Sequence, residues 1–573
     1  MTSQLKALPR AMMLAALVAG MTTACSPADP DAGHGGDHSM ADSAAQATAQ
    51  TTEPATNDHA NHGMPPAEQI GSENVAFATS CDAATADTFN RGVALIHSFW
   101  FAEAINSFNQ VLATDPDCAI AYWGISLSHW GNPFAGQRNA QQLARGQESV
   151  QQALNTGTPT AREKAYIDAV AHLFSDTQGG TQGARTKAYE NAMAALVEQY
   201  PDDMEARIFY ALAANQTADP TDKAYTQQLK AADILEPLFE QYPNHPGLAH
   251  YIIHAYDHPP LAERALNAAR RYASLAPDAP HALHMPSHTF TRVGMWQESV
   301  DTNLRSAEIA RQSSTAGEEL HALDYQTYAY LQMAQDQKAL AVVERAQALV
   351  EEVDITAVGA TQAGAFAIAA IPARYALERG DYAAAAQLTV HPAETTPHTQ
   401  AITHFARAIG AARIGQADAA AADIAMLAEL REKARARQDA YWTEQIDIQW
   451  KAASAWASFA AGQRDEGIIQ MSAAADQEDA TDKAAVTPGP IAPARELLGM
   501  MLLEAGRPAE ALTALESTLQ KEPNRFMTLN LAAQAAGAAG NADLARQYYQ
   551  QLLTVAASAD SDRPALQAAR SAL

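Results

Sequence analysis

The chain has 573 residues, longer than one ordinary globular core, which leaves either several domains or a repeat array that grows by stacking neighbours. Its formal net charge of -27 excludes the basic face that nucleic acid requires and disfavours broad contact with an anionic membrane. What remains is a protein whose partners are proteins, cations or small molecules. Abundant Ala, Leu, Gln and Glu without sustained β-branched alternation predict helices almost throughout.

Residues 1–24 read as a signal peptide. Lys6 and Arg10 form a basic start, and Ala11–Gly20 is an apolar run too short to span a bilayer. The stretch Thr22-Thr23-Ala24-Cys25 resembles a bacterial lipobox, with Thr22 where Leu is usual. The resemblance implies export and lipidation of Cys25, with the membrane met through that anchor only; Ser26 after it resembles an outer-membrane address. The expected location is the bacterial cell envelope, as an outer-membrane lipoprotein facing the periplasm, the alternative being simple secretion.

Residues 25–75 read as the lipidated cysteine and a disordered tether, because no Lys or Arg occurs between Arg10 and Arg91 and Gly, Ser, Ala, Thr, Pro and acids dominate. Within it lie His34, His38 and Met40, then His59, His62 and Met64. Imidazole with thioether suits copper, above all the cuprous ion; the alternative is a solvated linker that contains these residues incidentally. In an oxidising compartment the remaining cysteines, Cys81 and Cys118, are expected to form a disulfide across the two ends of the first helical hairpin.

From residue 76 to 573 the pattern is repetitive. Gly92, Ala104, Phe108 and Pro116 recur in kind as Gly499, Ala511, Leu515 and Pro523, and Ala545 and Tyr549 follow 34 residues after Ala511 and Leu515. Small residues let two helices approach, a large one fills the gap, and Pro ends the second helix. These positions resemble the tetratricopeptide repeat (TPR) family over about residue 80 to the C-terminus. The resemblance implies an all-α fold, a right-handed α-solenoid of about a dozen helical hairpins, used as a scaffold that binds a protein or peptide in its concave groove. The central segments HYIIHAYD and HALHMPSHTFTRVG also resemble a narrower group of exported bacterial repeat proteins, which implies fold and location. The aromatic cluster Phe99, Trp100, Phe101, Tyr122, Trp123 and Trp130 reads as repeat core or end cap rather than a ligand cage.

The histidines carry the functional reading. Pro243, Asn244, Pro246, His250 and His254 are answered 34 residues later by Pro277, Asp278, Pro280, His284 and His288. With 18 His in the chain, the window 250–288 should hold about one by proportion and holds six, so chance is an inadequate account. An i, i+4 pair of histidines projects from one helical face and makes a two-toothed metal ligand. By resemblance to the repeat family, His250 and His254, with His281, His284 and His288, take groove-facing positions, and His321, Asp324 and Tyr328 extend that groove in the next unit. Two pairs could converge on one cation, copper or zinc, with Asp257, His258 or Asp324 completing or orienting the shell. The competing readings are a polar peptide-binding groove and purely structural packing. Neither pair carries the Glu of an HExxH protease, which favours a binding protein over an enzyme. Pro286 predicts a kink between His284 and His288, or a helix that starts at Met285.

Overall fold

The computed structural model describes residues 69–177, 179–353 and 362–573. The signal peptide, Cys25 and the tether residues His34, His38, Met40, His59, His62 and Met64 lie outside the described residues. Among the described residues there are helices and turns but no strand.

Consecutive helices pack as hairpins that stack on their neighbours: Ala86–His97 with Phe101–Thr114, Ala119–Trp130 with Ala140–Asn155, and so on to Phe526–Ala538 with Ala542–Val555. The architecture is a solenoid of TPR-like helical hairpins. The repeat positions act as their chemistry requires. A Cβ on Gly92 would sit 2.7 Å from the Phe108 ring, and one on Gly499 would sit 2.6 Å from the Leu515 side chain. Each glycine is thus the hole into which its large partner fits. Cys81 and Cys118 are joined as a disulfide, Cα to Cα 5.0 Å, across the ends of the first hairpin. Ile70 and Val75, which composition assigns to the tether, are buried against the first hairpins, and Gln69 donates its amide to Asp278 at 2.7 Å.

The array curves enough to meet itself. Helix Ala86–His97 packs on helix Pro246–Ala255, and helix Ala316–Gln332 on Phe526–Ala538. Trp296 donates its indole N–H to the carbonyl of Asn524 at 3.0 Å, and Asn524 returns a bond to Gly294. The concave side at the centre of the chain is therefore filled by protein. The segment 482–493 lies there, held by Arg374, whose guanidinium donates to Asp324, Thr487, Gly489 and Pro490 at 2.7–2.9 Å.

Candidate metal centre

The histidines predicted to share a face do so, but buried rather than open: His250, His254, His281, His284, His288 and His321 are all between 0% and 9% exposed. They divide into two groups of three, His250 with His254 and His281, and His284 with His288 and His321. Within each group the ligand nitrogens lie within 4.8 Å of one another. The expectation of one cation shared by the two HxxxH pairs gives way to one pair per group, each completed by a third histidine. The groups touch, since the ring centroids of His254 and His288 are 5.9 Å apart and those of His281 and His284 are 6.0 Å apart.

Local structure explains the placement. Helix Pro246–Ala255 presents His250 and His254 one turn apart. Pro286 splits the next helix into Pro280–His284 and Pro286–Arg292, yet Met285 between them keeps helical torsions, φ −53° and ψ −38°. The proline removes a hydrogen bond without re-aiming the chain, so His284 and His288 still meet on one face. Helix Ala316–Gln332 supplies His321.

Hydrogen bonds fix which nitrogen is free in His250, His284 and His288. His250 donates its Nδ1–H to the carbonyl of His97 at 2.5 Å, and His288 donates its Nδ1–H to Asp257 Oδ2 at 2.9 Å. Asn303 spends its amide N–H on Ser299, which leaves Oδ1 to accept from His284 Nδ1 at 2.7 Å. With burial favouring the neutral form of both rings, His284 and His288 turn Nε2 lone pairs toward each other at 3.1 Å. Two acceptors at that distance repel unless a cation lies between, and tetrahedral ligands 2.0–2.1 Å from a metal are roughly 3.4 Å apart. In the other group the Nε2 atoms of His250, His254 and His281 are all buried with no hydrogen-bond partner among the described residues. Three unpartnered ring nitrogens in one buried cluster are rare in a folded interior.

Electrostatics keep the rings ready to ligate. Burial first, then the neighbouring histidines, pushes His250, His254 and His284 well below the ordinary imidazole range. Burial takes His321 down to about 3. Neutral imidazole is the ligating form. Asp257 behaves oppositely: burial works to raise its carboxyl, but Lys483, Arg292 and His288 hold it well below the usual carboxylate range. It accepts from Arg292 at 2.8 Å and Lys483 at 3.2 Å, so it orients His288 rather than ligating beside it.

Other expected members lie elsewhere. His258 turns to Asp482 at 3.0 Å. Asp324 is committed to Arg374, and Tyr328 bonds Arg525 and Glu522 within the core. Neither lines an open groove. Of the three residues expected from the third unit only His321 stands in the cluster, joined by Tyr325, an i, i+4 pair 37 residues after His284 and His288; this HxxxY echo is the signal for Tyr325. The Tyr325 hydroxyl is 3.4 Å from His288 Nε2 and also within reach of the carbonyls of Ala485 and Thr487. Phe99, buried in the core as its cluster predicts, covers the first group with ring centroids 4.3 Å from His250, 5.6 Å from His254 and 5.3 Å from His281. It does so from φ +54°, a left-handed conformation costly for a bulky side chain, and Phe134 stacks on His254 at 4.3 Å. A third buried group lies behind: Glu205 bridges His97 and His245, each at 2.9 Å. Its carboxylate holds the Nε2 of both rings, so it braces the residue whose carbonyl orients His250.

No family model matches the chain, and no curated protein matches it. Among solved structures it is similar to a human IFIT1 dimer with m7Gppp-AAAA, at 11% identity and TM-score 0.32, over 77% of this chain and 90% of that one. It is also similar to the APC/C hetero-tetramer Cut9-Hcn1, at 11% identity and TM-score 0.29, over 85% of this chain and 90% of that one. At that similarity neither carries an argument about what this chain binds.

Proposed function

We propose that this helical-repeat protein binds transition metal, copper or zinc, at two adjacent trihistidine sites in its centre. The observation that carries the reading is the set of free Nε2 atoms: three orphaned in one group, two facing each other at 3.1 Å in the other. Three protein ligands leave an open position at each ion, the arrangement of reactive rather than purely structural sites. The use of these histidines as a peptide-binding groove has less support, because their rings are enclosed. The leader, the lipobox-like Cys25 and the Cys81–Cys118 pair together support a place in the bacterial cell envelope, where the His- and Met-bearing tether would capture copper weakly and a protein partner would meet the outer faces of the solenoid.

The test is metal analysis of the chain with His34, His38, His59 and His62 replaced by Ala, so that the tether contributes no imidazole. Two equivalents of metal are expected, falling to one in His254→Ala and to one in His288→Ala. Substoichiometric metal, unaffected by either change, overturns the reading.

A further inference from the structure

We propose that the two trihistidine groups form one binuclear copper centre that takes up dioxygen reversibly; this rests on the metal reading above and names the metal and the small molecule it serves. Three observations lead there.

The first is charge. All six ligands are imidazoles, and of the two carboxylates beside them Asp257 is already matched against Arg292 and Lys483, which leaves Glu318, 3.6 Å from His281 Nδ1, as the one unmatched negative charge. Two zinc ions would bring four positive charges into a buried site without an anionic ligand, whereas two cuprous ions bring two. Desolvation of ions rises steeply with charge, so the donor set favours the cuprous pair. Imidazole suits copper well.

The second is contiguity. Rings of different groups approach to 5.9 Å and 6.0 Å, inside the 4.2 to 6.4 Å spanned by ring pairs within a group. Each ion would have three protein ligands and an open position, and the two groups meet at the His254–His288 and His281–His284 contacts. A ligand bridging both ions is the economical way to fill two neighbouring open positions.

The third is enclosure. Phe99 and Phe134 wall the first group, Tyr325 closes on the second, and no ligand ring is more than 9% exposed. A diatomic molecule can reach such a centre, whereas a peptide, sugar or nucleotide cannot. The Tyr325 hydroxyl can give its proton to the carbonyl of Ala485 or Thr487, so a metal can take His288 Nε2 without leaving the phenol unsatisfied.

The step balances without further reactants. Each cuprous ion gives one electron and becomes cupric. Dioxygen accepts both electrons, keeps its O–O bond at the peroxide level, and forms a bond to each copper. No proton enters or leaves, and the centre carries two positive charges before and after. Release runs the same transfers backwards. Uptake therefore adds no uncompensated charge to the interior, which is what a buried reversible site requires.

The experiment uses the same tether-substituted chain, loaded anaerobically with cuprous ion and then given dissolved oxygen in a closed electrode cell. Uptake of one dioxygen per two coppers, reversed on purging with inert gas, is expected. His321→Ala and His281→Ala should each keep one copper and lose more than nine-tenths of the uptake. The zinc-loaded chain, folded but without a redox metal, should take up none. Two coppers bound with no uptake, or with uptake that purging does not reverse, overturns this inference and leaves the metal reading intact. Failure to bind metal overturns both.

Discussion

Arg374 offers the sharpest check on how the centre is enclosed. Its side chain is fully buried and donates to Asp324 at 2.9 Å, Thr487 Oγ1 at 2.7 Å, Gly489 O at 2.8 Å and Pro490 O at 2.9 Å. Arg374→Met keeps much of the volume and removes all four bonds. Counting each charged bond at about 1.5–3 kcal/mol would overstate the loss, because such terms are not additive. The better guide is the cost of orphaning a buried charge, about 3–5 kcal/mol. Asp324 limits that cost. Burial already pushes its carboxyl up against the pull of Arg374, so without Arg374 it takes a proton and becomes neutral. We therefore expect a loss of about 3–5 kcal/mol, concentrated at residues 484–494. Long repeat arrays unfold in parts, so the proper assay is amide hydrogen exchange, with Thr487 and Gly489 as probes. A tenfold rise in exchange accompanies each 1.4 kcal/mol of local destabilisation, so rises of at least a hundredfold are expected. Unchanged protection at those amides, with stability lowered by less than about 1 kcal/mol, would refute the clasp as described.

Asp257→Asn removes the charge that supports the His288 tautomer, and metal affinity measured by competition with a chelator should fall about 10- to 100-fold; an unchanged constant would deny Asp257 that role. His398 is buried, stacked on Trp442 at 4.1 Å, and held by burial at about 3, so its stabilising effect is full above pH 6.5 and shrinks as pH falls below it. Between pH 7.5 and 5 the wild type should lose about 2 kcal/mol relative to His398→Phe, which keeps the stack but takes no proton; Glu394, pushed up to about 7, moves the opposite way in both and cancels. Replacing Cys81 and Cys118 by Ser opens a loop of 37 residues, and urea denaturation should show a loss of roughly 3–4 kcal/mol confined to the first repeats. A Cβ on Gly247 would lie 2.4 Å from His97 Nδ1, so Gly247→Ala should cost about 1–3 kcal/mol in thermal denaturation; a neutral result would mean His97 can give way.

The solenoid was legible because a stacked repeat writes its packing into local spacing: Gly92 opposite Phe108 and Gly499 opposite Leu515 are partners within one hairpin. The same locality exposed the histidine pairs. It hid how they divide, since the grouping of His281 with His250 depends on how far one hairpin rotates on the next, which spacing does not encode. The third unit carries an insertion, so spacing places Asp324 and Tyr328 where His321 and Tyr325 belong. Lys483, which reaches Asp257 across 226 residues, and Thr487, which receives Arg374 across 113, are products of curvature accumulated over many repeats. Only Phe99, a bulky residue in a left-handed cap position that suits glycine, is a local oddity that points to the site.

The distance in sequence between ligands and cover has a kinetic meaning. The six histidines come from residues 250–321, while the segment packed over them comes from 482–493. A chain in which the early hairpins have stacked and the later ones have not would present the histidines assembled but uncovered. On the metal reading proposed above, metal would enter in that interval, and its later departure would be governed by how often the late segment lets go, not by the strength of six nitrogen bonds alone. A chain that folds once in the right compartment would thus keep what it captured there, and its metal content would record where it folded rather than where it was later found.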